Sequence, residues 1–331
     1  MRAAIYGGTG GPEVIRIEEV QRPVPGAGQV LVRVQAAGLN RADLLQRLGF
    51  YPAPSGAPAN IPGLEFTGVA EELGEGVTAV EQGQRVFGIT GGGAHAEFLV
   101  SHERLLVPVP QGLDTLQAAA VPESFITAYD ALFNQAGVKP GEKVLVHAAG
   151  GGVGTALVQL ARFAGCMVFT TTRTSRKLSR LAELGADVTI DSSQQDFAEV
   201  IAQQTHGTGV HVCIDFTGGS YLAQNLATLG INGRLVILGL LGGVKVPIDL
   251  ETVLNKRLRI IATQLRGRPL EEKIAVTRQF ADVVVPQIER GLLRSVIDRV
   301  FTLDHLPDAH RHMASNSGFG KIVISVEPGK Q

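Results

Sequence analysis

Val144-Leu145-Val146-His147-Ala148-Ala149-Gly150-Gly151-Gly152-Val153-Gly154 is the stretch that decides the fold. Its first residues form a short apolar run, as a strand covered on both faces requires, and the glycines lead into a helical pattern over 154–164. Read as a G-x-G-x-x-G fingerprint with alanine first, its critical positions are Ala149, Gly151 and Gly154. Small residues there let the chain turn sharply, let backbone approach a pyrophosphate, and let helix pack on strand. The helix start, with Gly152 and Val153, then offers free N–H groups and a positive dipole to a diphosphate. Positions 144–161 hold no Asp, Glu, Lys or Arg, but His147, Gln159 and four glycines split them into strand, turn and helix rather than a membrane span.

The same alternation continues outward. Apolar runs at 167–172, 188–190, 210–216, 234–238 and 258–262 read as strands, and 175–184, 197–204, 221–229 and 271–290 as helices. This is the pattern of a doubly wound α/β domain with a parallel sheet. An NAD site places an acidic residue about 20 positions after the glycines. Here the second strand ends Thr170-Thr171-Thr172-Arg173-Thr174-Ser175-Arg176-Lys177, with no carboxylate. Basic charge at a helix start opposes the macrodipole unless an anion sits there. The expected cofactor is therefore NADPH, its 2′-phosphate held by Arg173 and Lys177 with Ser175 as a hydrogen-bond donor.

Upstream, the first 120 residues read as short strands (30–34, 68–73, 98–100, 105–107) between Pro- and Gly-rich turns, which suggests a barrel-like β domain. Helices are expected over 115–120 and 125–135, with Pro122 between them. The end of the chain, 300–326, returns to strand character and is expected to rejoin the first domain. With 331 residues the chain has room for two domains, and 30 Lys+Arg against 31 Asp+Glu argue against nucleic-acid or membrane-surface partners held by bulk charge. Two cysteines, Cys166 and Cys213, make no disulfide framework, and no secretory pattern opens the chain, so a cytoplasmic location is expected. No HExxH, CxxC or G-x-S-x-G motif occurs. His95, His102, His206, His211, His305, His310 and His312 are scattered, read mostly as surface or loop residues, and no metal site is expected.

Several segments now come together: Asn40-Arg41-Ala42-Asp43-Leu44, Pro62-Gly63-Leu64-Glu65-Phe66-Thr67-Gly68, Ala118-Ala119-Ala120-Val121-Pro122, Gly151-Gly152-Val153-Gly154, 215–218 and Gly320-Lys321-Ile322-Val323. In this order they resemble the zinc-free quinone oxidoreductases of the medium-chain dehydrogenase/reductase superfamily. The likeness is to the zeta-crystallin-like group that includes the tumour-suppressor-induced quinone oxidoreductases. It implies a GroES-like, β-rich catalytic domain from 1–123 and 268–331, a Rossmann domain from 124–267, a cleft between them, and a homodimer joined through Rossmann edge strands. Residues 242–247 are one candidate edge. Zinc-dependent relatives carry Gly-His-Glu where this chain has Gly63-Leu64-Glu65, so zinc chemistry is not expected.

The resemblance also implies site residues. Tyr51 and Asn40 match positions lining the acceptor site, with Glu65 a weaker candidate. Thr127, Gly239 and Leu240 match the nicotinamide side, Phe216 and Gly218 the adenine or ribose side, and Asn316 and Lys321 a tail facing the cofactor. The reading of choice is metal-free transfer of electrons or hydride from NADPH to a quinone. An NADPH-dependent 2-alkenal or enone reductase stays open, and so does a non-enzymatic NADPH-binding protein, since fold alone does not fix function.

Overall fold

The computed structural model, which describes residues 1–326, divides the chain at two points. Unit 1 is Met1–Ile126 with Leu265–Gln331, and unit 2 is Thr127–Gln264. The first division falls inside a helix, three residues beyond the boundary read from sequence, and the second lies three residues before it.

Unit 1 begins with β1 (Arg2–Tyr6) and β2 (Ile15–Glu19), an antiparallel pair. Then follow β3 (Gln29–Leu39), α1 (Arg41–Arg47), β4 (Glu65–Leu73), β5 (Arg85–Ile89), β6 (Phe98–His102), β7 (Leu106–Pro108), α2 (Thr115–Ala119) and α3 (Pro122–Tyr129). Pro122 opens α3 rather than separating two helices, because its fixed φ suits a first helical position, where no N–H is needed. The helix then loosens into π-type turns over Asp130–Gln135, with the Ala136 N–H reaching the Ala131 carbonyl.

Unit 2 alternates β8 (Lys143–Val146), α4 (Gly152–Phe163), β9 (Met167–Thr172), α5 (Leu178–Glu183), β10 (Val188–Asp191), α6 (Phe197–Gln204), β11 (Val210–Asp215), α7 (Leu222–Thr228), β12 (Leu229–Ile237), α8 (Leu250–Lys256) and β13 (Arg259–Ala262). All neighbours pair in parallel in the order β10-β9-β8-β11-β12-β13, so the strand order reverses between β8 and β11. Leu145, Phe169, Ile190, Cys213 and Leu235 from five of these strands form one core with Ile201 and Leu226. The segment at 242–247, read as an edge, is irregular; the outer strand on that side is β13. No described helix is long and apolar enough to cross a membrane.

The chain then returns to unit 1 through α9 (Leu270–Val283), α10 (Val285–Glu289), β14 (Ile297–Thr302), α11 (Leu306–Ala314) and β15 (Lys321–Ser325). The single helix expected over 271–290 is two, because Pro286 cannot donate to the helical ladder. Strand β15 pairs β3 antiparallel and β14 parallel, completing the sheet order β14-β15-β3-β4-β5-β7, with β6 also on β3. Val30, Val32, Phe66, Val86, Ile322 and Ile324 lie in its core.

Two histidines read as surface residues are fully buried there, His95 and His310. His310 meets the Tyr6 ring edge-on at 6.1 Å, and neither of its ring nitrogens has a partner among the described residues. Burial, helped by His95 and Arg47, pushes its pKa down to about 2 from 6.5. Below pH 6.5 the unfolded chain therefore binds a proton that the folded chain refuses, and this group lowers stability as the pH falls. Replacing His310 by Phe should flatten the loss of melting temperature between pH 6.5 and pH 4, read by thermal scans of both proteins.

Candidate functional site

The nucleotide half is assembled in unit 2 at the strand-order reversal, where open α/β sheets bind ligands. Gly151 caps α4 without a side-chain bond, so the N–H groups of Gly152, Val153 and Gly154 have no intrahelical partner. Gly154 is a packing requirement: a Cβ there would sit 2.6 Å from the Ala149 carbonyl oxygen. Ala149 is itself buried and donates its N–H to Thr171. At the end of β9, Arg173 and Ser175 are exposed, whereas Lys177 is buried and already engaged. Between them the buried Thr174 hydroxyl has no partner. It was not singled out from sequence, although it lies in the hydroxyl-rich run. The Thr127 hydroxyl is likewise buried and unpartnered.

After β11, Phe216 and Gly218 lie against Gly239 and Leu240, which follow β12. The Leu241 N–H reaches the Phe216 carbonyl at 3.2 Å, and Gly218 has a φ of +73° that only glycine takes easily. Asp215 organises this turn by accepting the N–H groups of Thr217 and Gly218 at 2.7 and 3.0 Å. A helix start with free N–H groups, two orphaned hydroxyls and a basic turn form a donor set that fits a phosphorylated dinucleotide.

The other expected residues lie in unit 1. Glu65 at the start of β4 is fully buried. Its Oε1 takes the Lys321 ammonium and the Asn40 amide (2.9 Å), and its Oε2 takes the Glu123 backbone N–H (2.9 Å). Lys321 also donates to the Leu39 carbonyl (3.1 Å) and Asn40 Oδ1 (2.7 Å). All three ammonium hydrogens are thus used inside the unit. Lys321 is a buried ion-pair partner of Glu65. Asn40 is a positioning residue for the same reason, its amide committed to Glu65 and Lys321. Asp43 clamps the neighbouring turn through the N–H groups of Asn40 and Gly63 at 2.8 and 3.0 Å. Asn316 is exposed and accepts from Arg41 at 2.6 Å.

Tyr51 sits under Arg266, whose guanidinium carbon is 5.3 Å from the ring centroid. Arg266 is buried and donates to the carbonyls of Tyr51 (3.2 Å) and Gly91 (2.8 Å) and to Gln46 (2.6 Å). Burial raises the Tyr51 phenol, Glu123 adds to that, and Arg266 opposes it. The sequence reading missed Arg266 and Glu123, because neither lies in a recognisable motif. The donor set does not fit a zinc ion. Leu64 is an apolar core residue, Asn40 is committed, and no three His, Cys, Asp or Glu side chains converge among the described residues.

Residues 26–111 match the alcohol dehydrogenase GroES-like domain and 152–282 the zinc-binding dehydrogenase family. The rat quinone oxidoreductase is 33% identical over 98% of this chain and 97% of its own. The chain belongs to the medium-chain dehydrogenase/reductase superfamily. Within that superfamily of NAD(P)H-binding oxidoreductases it is quinone-oxidoreductase-like, and units 1 and 2 are its GroES-like and Rossmann domains. Two solved structures share the fold. The mycobacterial Rv1454c complexed with NADPH has a TM-score of 0.89 at 29% identity, covering 98% of this chain and 100% of the other. The JamJ enoyl reductase has 0.87 at 28%, covering 98% and 99%.

The Lys321–Glu65 pair gives a direct test of the unit 1 network. Lys321→Met leaves a buried carboxylate uncompensated and should cost about 3–5 kcal/mol in urea unfolding. Adding Glu65→Gln to that variant should recover a substantial part of the loss.

Proposed function

We propose that this reductase is a metal-independent, NADPH-dependent quinone oxidoreductase of the zeta-crystallin-like kind. The observation that carries the reading is the unit 1 network. Asn40, Glu65 and Lys321 are locked to one another, and Leu64 beside Glu65 is apolar. A quinone is already electrophilic and needs positioning more than polarisation. When bound, NADPH supplies the hydride. The free N–H groups of Gly152, Val153 and Gly154 hold the diphosphate. Arg173, Thr174, Ser175 and Lys177 hold the 2′-phosphate. Thr127 and the 216–218 and 239–240 turns orient the rest. Tyr51, fixed through its carbonyl by Arg266, donates a hydrogen bond to the acceptor oxygen. A 2-alkenal or enone reductase is the second reading, favoured by the likeness to the JamJ enoyl reductase.

The test follows NADPH and NADH absorbance with ortho-quinones, para-quinones and 2-alkenals, with chelator present. Fast, chelator-indifferent oxidation of NADPH by quinones is expected. Preference for alkenals would move the second reading ahead, and preference for NADH would overturn the cofactor assignment. Arg173→Ala should weaken NADPH binding by about 1.5–3 kcal/mol, roughly 10- to 100-fold, and leave NADH binding unchanged.

The expected homodimer is proposed through β13. Its outer edge has no strand partner among the described residues, and Leu240, Leu241, Val244, Leu250, Leu254 and Ile260 are exposed on or near it. A second copy adding its own β13 would cover both. Sedimentation should show a dimer for the wild type and a monomer for Ile260→Asp; a monomeric wild type would end this proposal.

A further inference from the structure

We infer that Glu123 is the proton donor to the reduced acceptor, and that Tyr51 only orients it. This rests on the quinone reductase reading and adds a residue to it. Glu123 lies in the first turn of α3, half-buried, with its backbone N–H fixed on Glu65 at 2.9 Å. Its carboxyl group has no hydrogen bond or ion pair with any described residue, unlike the neighbouring acids Glu65 and Asp43, whose oxygens are taken. It is therefore a titratable side chain of this cluster held ready for an outside partner.

The charged groups that act on it are Glu65 on β4, Asp43 on α1, Lys321 on β15 and Arg266 after β13, and it acts in turn on Tyr51 in the loop after α1. A helix start favours a charged carboxylate. Burial outweighs that, and the adjacent Glu65 and Asp43 charges add to it, against Lys321 and Arg266. The Glu123 carboxyl is pushed up to about 8 from 4.5, so it carries its proton at neutral pH. Tyr51 is raised as well, which suits a phenol that donates a hydrogen bond and keeps its proton.

The step balances. The quinone gains a hydride from NADPH, which becomes NADP⁺, and so takes up two electrons. The resulting oxyanion forms an O–H bond as the Glu123 O–H bond breaks. Glu123 is left as carboxylate and regains its proton from water, and the product is the hydroquinone.

The experiment compares wild type, Glu123→Gln and Glu123→Asp. In the apo protein at pH 7, the infrared C=O stretch of a protonated carboxylic acid should be present, should titrate near pH 8, and should be absent from Glu123→Gln. Above pH 4.5 the unfolded chain loses this proton while the folded chain keeps it, a penalty that Glu123→Gln escapes. That variant should melt higher than wild type at pH 7, with the difference vanishing toward pH 4.5. With NADPH and an ortho-quinone, kcat should fall roughly 100-fold or more in Glu123→Gln with NADPH affinity unchanged, and Glu123→Asp should recover part of it. Wild-type kcat should decline above about pH 8. Wild-type kcat and pH profile in Glu123→Gln would overturn the proposal while leaving quinone reduction standing. No quinone turnover by the wild type would overturn both, and the infrared band would still report whether the carboxyl is protonated. If Glu123→Gln does not fold, the wild-type infrared titration and Glu123→Asp decide, and absence of the band overturns the proposal.

Discussion

One buried ion pair, Lys321 on Glu65, ties together the elements of unit 1 that meet around it. It joins the last strand to β4, and its immediate partners extend to the start of α1 through Asn40 and to the start of α3 through the Glu123 N–H. Charges taken out of water this far must meet nearly all of their hydrogen-bonding capacity, or the desolvation penalty prevails. Here they do: three donors on Lys321 meet three oxygens, and both Glu65 oxygens are occupied. The pair also explains a backbone residue. A Cβ at Gly38 would run into the Glu65 carboxylate, so β3 can pass so close only as glycine.

In unit 1 Asn40, Glu65 and Lys321 satisfy one another, while His95 Nδ1, the Ser124 hydroxyl and both His310 ring nitrogens are buried without partners among the described residues. In unit 2 the unmet groups are the first N–H groups of α4, the hydroxyls of Thr127 and Thr174, and the Asn225 amide nitrogen. Buried polar atoms without partners are costly and rare in folded proteins. Those at the start of α4 and just after β9 lie at the carboxyl ends of β8 and β9, where an open parallel sheet binds ligands.

The two units differ in how much of them was legible in the sequence. The nucleotide half is local. Glycines, apolar runs and a basic turn stand next to one another in the chain, and the β8–α4 turn, Met167–Thr172 and Phe197–Gln204 follow from them directly. The acceptor half is not local. Lys321 and Glu65 are 256 residues apart, and Arg266 and Gln46 are 220 apart, so no window of sequence shows them meeting. Lys321 was consequently read from its motif as a cofactor contact. Strands β1, β2 and β5, five residues each, were not read as strands from the sequence. His95 and His310 were misread because a buried, neutral histidine has no sequence signature.

His147 shows how much can hide inside a legible motif. It lies within the fingerprint stretch itself, fully buried, with Nδ1 on the Thr171 hydroxyl at 2.8 Å and Nε2 on Asn225 at 2.7 Å. Phe197 and Tyr221 pack edge-on against its ring at 4.9 and 5.0 Å. Burial holds its pKa near 4, so it stays neutral and hydrogen-bonded on both sides at physiological pH. An apolar residue would fill the same space but would leave Thr171 and Asn225 without their bonds. Asp215 separately fixes the Gly218 turn. Hydrogen bonds through His147 thus tie the β9 end and the fingerprint strand to α7. A neutral histidine beneath the glycines thus braces the strand end from which the fingerprint turns.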